Sequence, residues 1–169
     1  MLRLRRIISG GQTGADQAAL YAGETLGLET GGYMPFGYKT EDGPAPNLAA
    51  RFGLLEHASP LYPRRTWDNV ASADGTLVFG NLASPGSRLT ARYAKQMGKP
   101  LYRVSWTRLG KDLVIPDEAF RAWLALHAIR TLNVAGNRES QMPGIRHVLY
   151  SYLTRTLADD ETCAAAASR

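Results

Sequence analysis

Short apolar runs of strand length alternate with stretches of helical periodicity along this chain. That alternation constrains the fold more than any other feature, because parallel strands joined by right-handed helical crossovers are the compact way to satisfy it. Leu4 to Ser9 is an apolar run stopped by Gly10 and Gly11. From Asp16 onward Ala18, Ala19, Ala22 and Leu26 recur at helical spacing, with Gly27 as the stop. Strands are expected at Leu28 to Met34, Thr76 to Gly80, Pro100 to Val104 and Ile129 to Val134. Helices are expected at Thr66 to Ala73, around Leu89 to Met97, after an N-cap at Asp117, and from near Pro143 to Leu157. The stretch Pro44 to Pro63 reads as irregular, with a short helix near Leu48 to Leu55. The expected fold class is α/β: a Rossmann-like three-layer fold whose mainly parallel sheet has about five strands or more.

The 169 residues suffice for one domain. We read residues 1–158 as that domain and 159–169, acidic and then alanine-rich, as a flexible tail. No apolar run approaches the roughly 18 residues that cross a bilayer. The single cysteine, Cys163, excludes an intrachain disulfide and points to a reducing, cytoplasmic setting. The formal charge of +5 comes mostly from arginine. Neither a lysine-rich tract nor an arginine–aromatic interleaving marks a nucleic-acid binder, so an anionic small molecule is the expected partner.

In such a sheet, ligands sit beyond the carboxyl ends of the strands, where the strand order reverses. Three turns at that edge carry the chemistry. The first runs SGGQTGAD, from Ser9 to Asp16. Gly10, Gly11 and Gly14 let backbone approach a ligand, and the free amides at the helix start favour an anion. Gln12 and Thr13 offer donors, and Asp16 either caps the helix or accepts from a ligand hydroxyl or amine. The run has no lysine of the P-loop kind and is not G-x-G-x-x-G. The second turn supplies Ser84, Gly86, Ser87, Arg88 and Thr90, with Arg88 able to grip a phosphate bidentately. The third supplies Asn133, Gly136, Asn137, Arg138, Glu139 and Ser140.

These runs, together with Glu41 to Gly43, Arg65–Thr66, Asn69–Val70, Asp74 to Leu77, Gly98 to Pro100 and Leu132 to Ser140, resemble the circularly permuted YpsA branch of the SLOG superfamily over about residues 6 to 150. The resemblance implies a Rossmann-like fold of the lysine-decarboxylase-like type, a homodimer or homotetramer, and a nucleotide-like or pterin-phosphate ligand. Members of this branch are described as molybdenum cofactor carriers, so it implies molybdopterin as cargo and a molybdoenzyme or cofactor-synthesis protein as partner. Phosphoribohydrolases of the superfamily carry Pro-Gly-Gly-x-Gly-Thr followed by a catalytic glutamate. Here Pro85 to Thr90 reads PGSRLT, and Ala91, Arg92 and Tyr93 follow without a glutamate.

The resulting expectation is a phosphate-ligand binding protein that carries or stores the molybdenum cofactor and has no catalytic residue set. Alternatives are a nucleotide N-glycosidase using Glu139 or Asp16, and a sensor of a nucleotide-derived signal. No metal ligands are expected: His57, His127 and His147 share no ligand spacing, and Cys163 lies outside every motif. Glu41 and Asp42 are candidates to reach the pocket from a loop, in this chain or a neighbouring one.

Overall fold

The computed structural model describes residues 4–106 and 116–158. Cys163 and the expected tail at 159–169 lie outside them. The chain opens with β1 (Arg6–Ile8), α1 (Ala15–Thr25) and β2 (Glu29–Met34). A small hairpin, β3 (Lys39–Thr40) and β4 (Gly43–Pro44), leads to α2 (Pro46–Phe52) and β5 (Leu54–Glu56). The remainder alternates regularly: α3 (Tyr62–Ser72), β6 (Gly75–Gly80), α4 (Pro85–Gln96), β7 (Leu101–Ser105), α5 (Glu118–Leu126), β8 (Thr131–Gly136) and α6 (Ile145–Leu157).

Six strands form one sheet in the order β5-β2-β1-β8-β6-β7, and every pair is parallel. This is the α/β Rossmann-like arrangement that the alternation requires. Of these six, the strand not foreseen is β5. Gly53 adopts the left-handed conformation (φ 65°, ψ 34°) and ends α2 early. Leu54 to Glu56 then pair with Gly32 to Met34 instead of continuing the helix. Helix α3 begins at Tyr62 rather than Thr66, because Pro63 is tolerated in a first turn where its missing N–H costs nothing.

The two faces of the sheet differ. Ile7, Leu77, Phe79, Leu132 and Val134 point to the face covered by α1, α5 and α6, where they pack with Ala18, Ala22, Phe120, Leu149, Tyr152 and Leu153. Side chains alternate along a strand, so the residues between them face α3 and α4. Thr76 and Asn133 are among these, and both are buried. Asn69, Ser87 and Thr90 of α3 and α4 are buried too. One face is therefore the larger apolar core, and the other mixes these buried polar residues with Ile8, Val70, Val78 and Ala94.

Asp117 caps α5 as its position predicts, accepting from Phe120 N at 2.9 Å. It also accepts from the hydroxyls of Tyr152 at 2.8 Å and Tyr102 at 3.2 Å. Burial, reinforced by the Asp117 carboxylate, pushes the Tyr152 phenol well above its ordinary pKa. Asp117→Ala removes a helix cap and leaves a buried hydroxyl unpaired. We expect a loss of about 2–4 kcal/mol in urea unfolding; a loss under about 0.5 kcal/mol would show that Asp117 is not the tie between α5 and α6.

Candidate functional site

From β1 the chain moves outward to β2, whereas from β6 it moves the other way to β7, with β8 returning between them. The carboxyl ends of β1, β8 and β6 thus flank the switch point, and the three glycine-rich turns meet there. Asn137 joins them. Its backbone carbonyl accepts from Ala15 N at 3.1 Å, taking one of the amides that α1 leaves open. Its side-chain Oδ1 accepts from Asn81 N at 2.8 Å, holding the turn after β6. Gly14 makes this approach possible: at φ 76° with the carbonyl of Asn137 only 2.5 Å from where a Cβ would stand, no other residue fits. Gly14, not Asp16, is the N-cap of α1, and no side chain caps it.

A cleft of about 310 Å³ lies between these turns and helices α3 and α4. The turn after β1 contributes Gly10, Gln12 and Asp16 to its lining; α3 contributes Tyr62, Arg65, Thr66 and Asn69. The start of α4 contributes Ser84, Pro85, Gly86, Leu89 and Thr90, and the third turn Asn133 to Gly136, Arg138 and Gln141. Arg65 lies flat against Gly10, where a Cβ would overlap its guanidinium at 1.2 Å. Its Nη1 is 3.4 Å from Asp16 Oδ2, and the two side chains are only 12% and 9% exposed. Arg65 and Arg138 both stack on the ring of Tyr62, at 5.4 and 5.1 Å.

Asp16 Oδ2 also accepts from Gln12 N at 3.2 Å. Burial raises the Asp16 carboxyl above its ordinary range, against the lowering effect of Arg65 and of that amide. Gln12 is held by its carbonyl end: Oε1 accepts from Thr13 N at 3.0 Å and Glu41 N at 2.9 Å. Glu41, at the tip of the β3–β4 hairpin, receives hydrogen bonds from Thr13 Oγ1 and from both the hydroxyl and the amide of Ser140. Burial pushes the Glu41 carboxyl up, but these bonds and the nearby charge of Arg138 hold it below its ordinary value.

Of the residues singled out from sequence, Gly10, Gln12, Asp16, Ser84, Gly86, Thr90, Asn133, Gly136 and Arg138 line the cleft. Gly11, Thr13, Gly14, Ser87, Arg88, Asn137, Glu139 and Ser140 do not. Thr13 and Ser140 hold Glu41, and Asn137 joins the turns. Ser87 pairs with the hydroxyl of Ser84 at 2.9 Å inside the first turn of α4. Arg88 is exposed and off the α4 face that presents Gly86, Leu89 and Thr90. Glu139 lies outside the cleft lining. Its carboxylate accepts from Gly144 N at 2.6 Å and Arg146 N at 3.1 Å, and so supports the start of α6. Sequence reasoning missed Tyr62, Arg65, Thr66 and Asn69 as site residues; two of its motif pairs, Arg65–Thr66 and Asn69–Val70, contained the signal. His57 has both ring nitrogens engaged, with Asp68 at 2.6 Å and Ser59 N at 2.9 Å. Among the described residues no group of three histidines, cysteines or acids could hold a metal ion, and no helix is long and apolar enough to cross a membrane.

The sequence pattern of the circularly permutated YpsA SLOG family matches residues 7–157. The chain belongs to that family. Its fold is also that of a crystal structure from Syntrophus aciditrophicus SB, of a protein named "Putative molybdenum carrier protein". The two are 34% identical, with a TM-score of 0.82, over 92% of this chain and 96% of the other. No curated protein matches the chain. For this SLOG domain, Gly14→Ala should cost at least about 2 kcal/mol, from the forbidden backbone conformation and the overlap with Asn137. Thermal unfolding within about 1 °C of the parent would show that the turns do not depend on this contact.

Proposed function

We propose that the cleft binds a phosphate-bearing small molecule and that the protein carries or stores the molybdenum cofactor. The observation that supports this most is the convergence of Arg65, Arg138 and the first turn of α4 on one cleft at the switch point. Guanidinium groups stacked on Tyr62 are pre-positioned for oxyanions, and a helix N-terminus adds its dipole. The volume lies at the lower bound for small-ligand sites. The name of the Syntrophus protein supports molybdenum-related cargo, with a molybdoenzyme or a cofactor-synthesis protein as the partner in transfer.

A nucleotide N-glycosidase is the second reading, favoured by one observation: Asp16 is the carboxylate among the described cleft-lining residues. A carboxylate beside an anomeric carbon would stabilise an oxocarbenium-like transition state. Release of free base from a nucleotide panel, abolished in Asp16→Asn, would move the conclusion to this reading.

The carrier reading is tested by loading the protein from a cofactor donor and following retention. Arg65→Ala and Arg138→Ala should each weaken retention about tenfold or more, whereas Arg88→Ala should leave it unchanged. Retention intact in both cleft variants contradicts the site.

Asp16 also predicts a pH dependence. Its pKa is raised by folding, so the folded state holds the proton more tightly than the unfolded chain. Stability from this group therefore increases as pH falls through the raised value and is lost as pH rises through it. Protonation also removes a negative charge from the cleft. Sulfate should bind more tightly as pH falls through the raised Asp16 value, and Asp16→Asn should flatten that slope. An unchanged slope in the variant would contradict the assignment.

A further inference from the structure

The cleft's polar groups are not equally engaged. The charge of Arg65 is paired with Asp16, whereas Arg138 rests on Tyr62 and has the Glu41 carboxylate near it without a direct ion pair among the described residues. The Asp16–Arg65 region is thus close to neutral, and an anionic group is better placed near Arg138 and the start of α4. What the near-neutral region offers is hydrogen bonding. Gln12 is 5% exposed, and its Nε2 has no hydrogen-bond partner. The amide cannot turn over to satisfy it, because two backbone N–H groups, of Thr13 and Glu41, already bind Oε1. A buried donor left unpaired costs about 1–3 kcal/mol, so this one awaits an acceptor. Next to it, Asp16 is an acceptor that bonds the backbone N–H of Gln12.

An uncharged group that meets a fixed amide donor and an adjacent carboxylate must present a carbonyl beside N–H donors. Resting on the reading that the ligand carries a phosphate, we propose that Gln12 and Asp16 recognise the edge of a 2-amino-4-oxopyrimidine ring, with the ring carbonyl on Gln12 Nε2 and the ring N–H and amino group on Asp16. Guanine nucleotides and pterins share this edge. Adenine does not: it has no carbonyl, and its ring nitrogen turns a lone pair toward the site. The hairpin acts here through Glu41, whose backbone N–H helps to fix the Gln12 amide; Glu41 is a positioning residue.

The test is calorimetric titration of the full chain with GMP, IMP, AMP, a 6-substituted pterin phosphate and inorganic phosphate. GMP or the pterin phosphate should bind at least tenfold more tightly than AMP, with IMP, which lacks the amino group, in between. Preference for one of the first two identifies the source of the edge. Gln12→Glu keeps both bonds to Oε1 and replaces the donor by an acceptor, so it should reduce the preference over AMP at least fivefold. Gln12→Met, folded by circular dichroism, should do the same. Binding of all four organic ligands within threefold of one another overturns the edge assignment and leaves phosphate binding standing. No binding of any of them, inorganic phosphate included, overturns both.

Discussion

Asn137 holds the edge of the sheet together. Its carbonyl takes the first amide of α1 and its side chain takes the amide of Asn81, so one residue after β8 fixes the turns after β1 and β6. The cleft exists because these turns are held apart from α3 and α4 yet close to each other. Thr13 extends the same tie: its hydroxyl accepts from Glu139 N at 3.3 Å and donates to Glu41. Backbone N–H groups that a helix end and two loops would otherwise leave open are satisfied by the carbonyl and side chain of Asn137 and by the hydroxyl of Thr13.

The sheet divides its labour by face. The apolar layer of α1, α5 and α6 contains the large buried side chains, among them Phe79, Phe120 and Tyr152. That burial lets the opposite layer hold buried Asn69, Asn133 and Thr76. Each of these polar groups is costly without a partner. Asn69 answers the backbone of Tyr33 at 2.8 and 3.1 Å, and Asn133 answers Thr76 at 3.4 Å. Gln12 Nε2 and Arg65 Nε do not find partners, and both residues line the cleft; Arg6 Nε, at the start of β1, is open as well.

Much of the fold was legible because strand and helix periods differ and glycines mark the changes between them. The three-residue β5 and the two-residue strands of the hairpin are too short to show a period, and only pairing with β2 makes a strand of Leu54 to Glu56. The turns of the site were legible for the same reason as the strands: glycine beside Ser, Thr and Asn after an apolar run. Side-chain direction was not. Arg88 lies two positions beyond Gly86, about 200° around a helix, so it leaves the cleft that Gly86 enters. Glu139 is taken by amides of α6 that come later in the chain. Arg65 stood outside the helix expected from Thr66; α3 begins a turn earlier, at Tyr62, and turns Arg65 and Asn69 toward the cleft.

Anomalous scattering from molybdenum or tungsten in crystals of the loaded protein locates an anionic cargo most directly. The anomalous peak should lie in the cleft between α3 and the first turn of α4, with Arg65 and Arg138 beside the ligand. A peak elsewhere, such as the groove on the opposite layer lined by Tyr21, Arg146 and Tyr150, with the cleft empty, would contradict this placement.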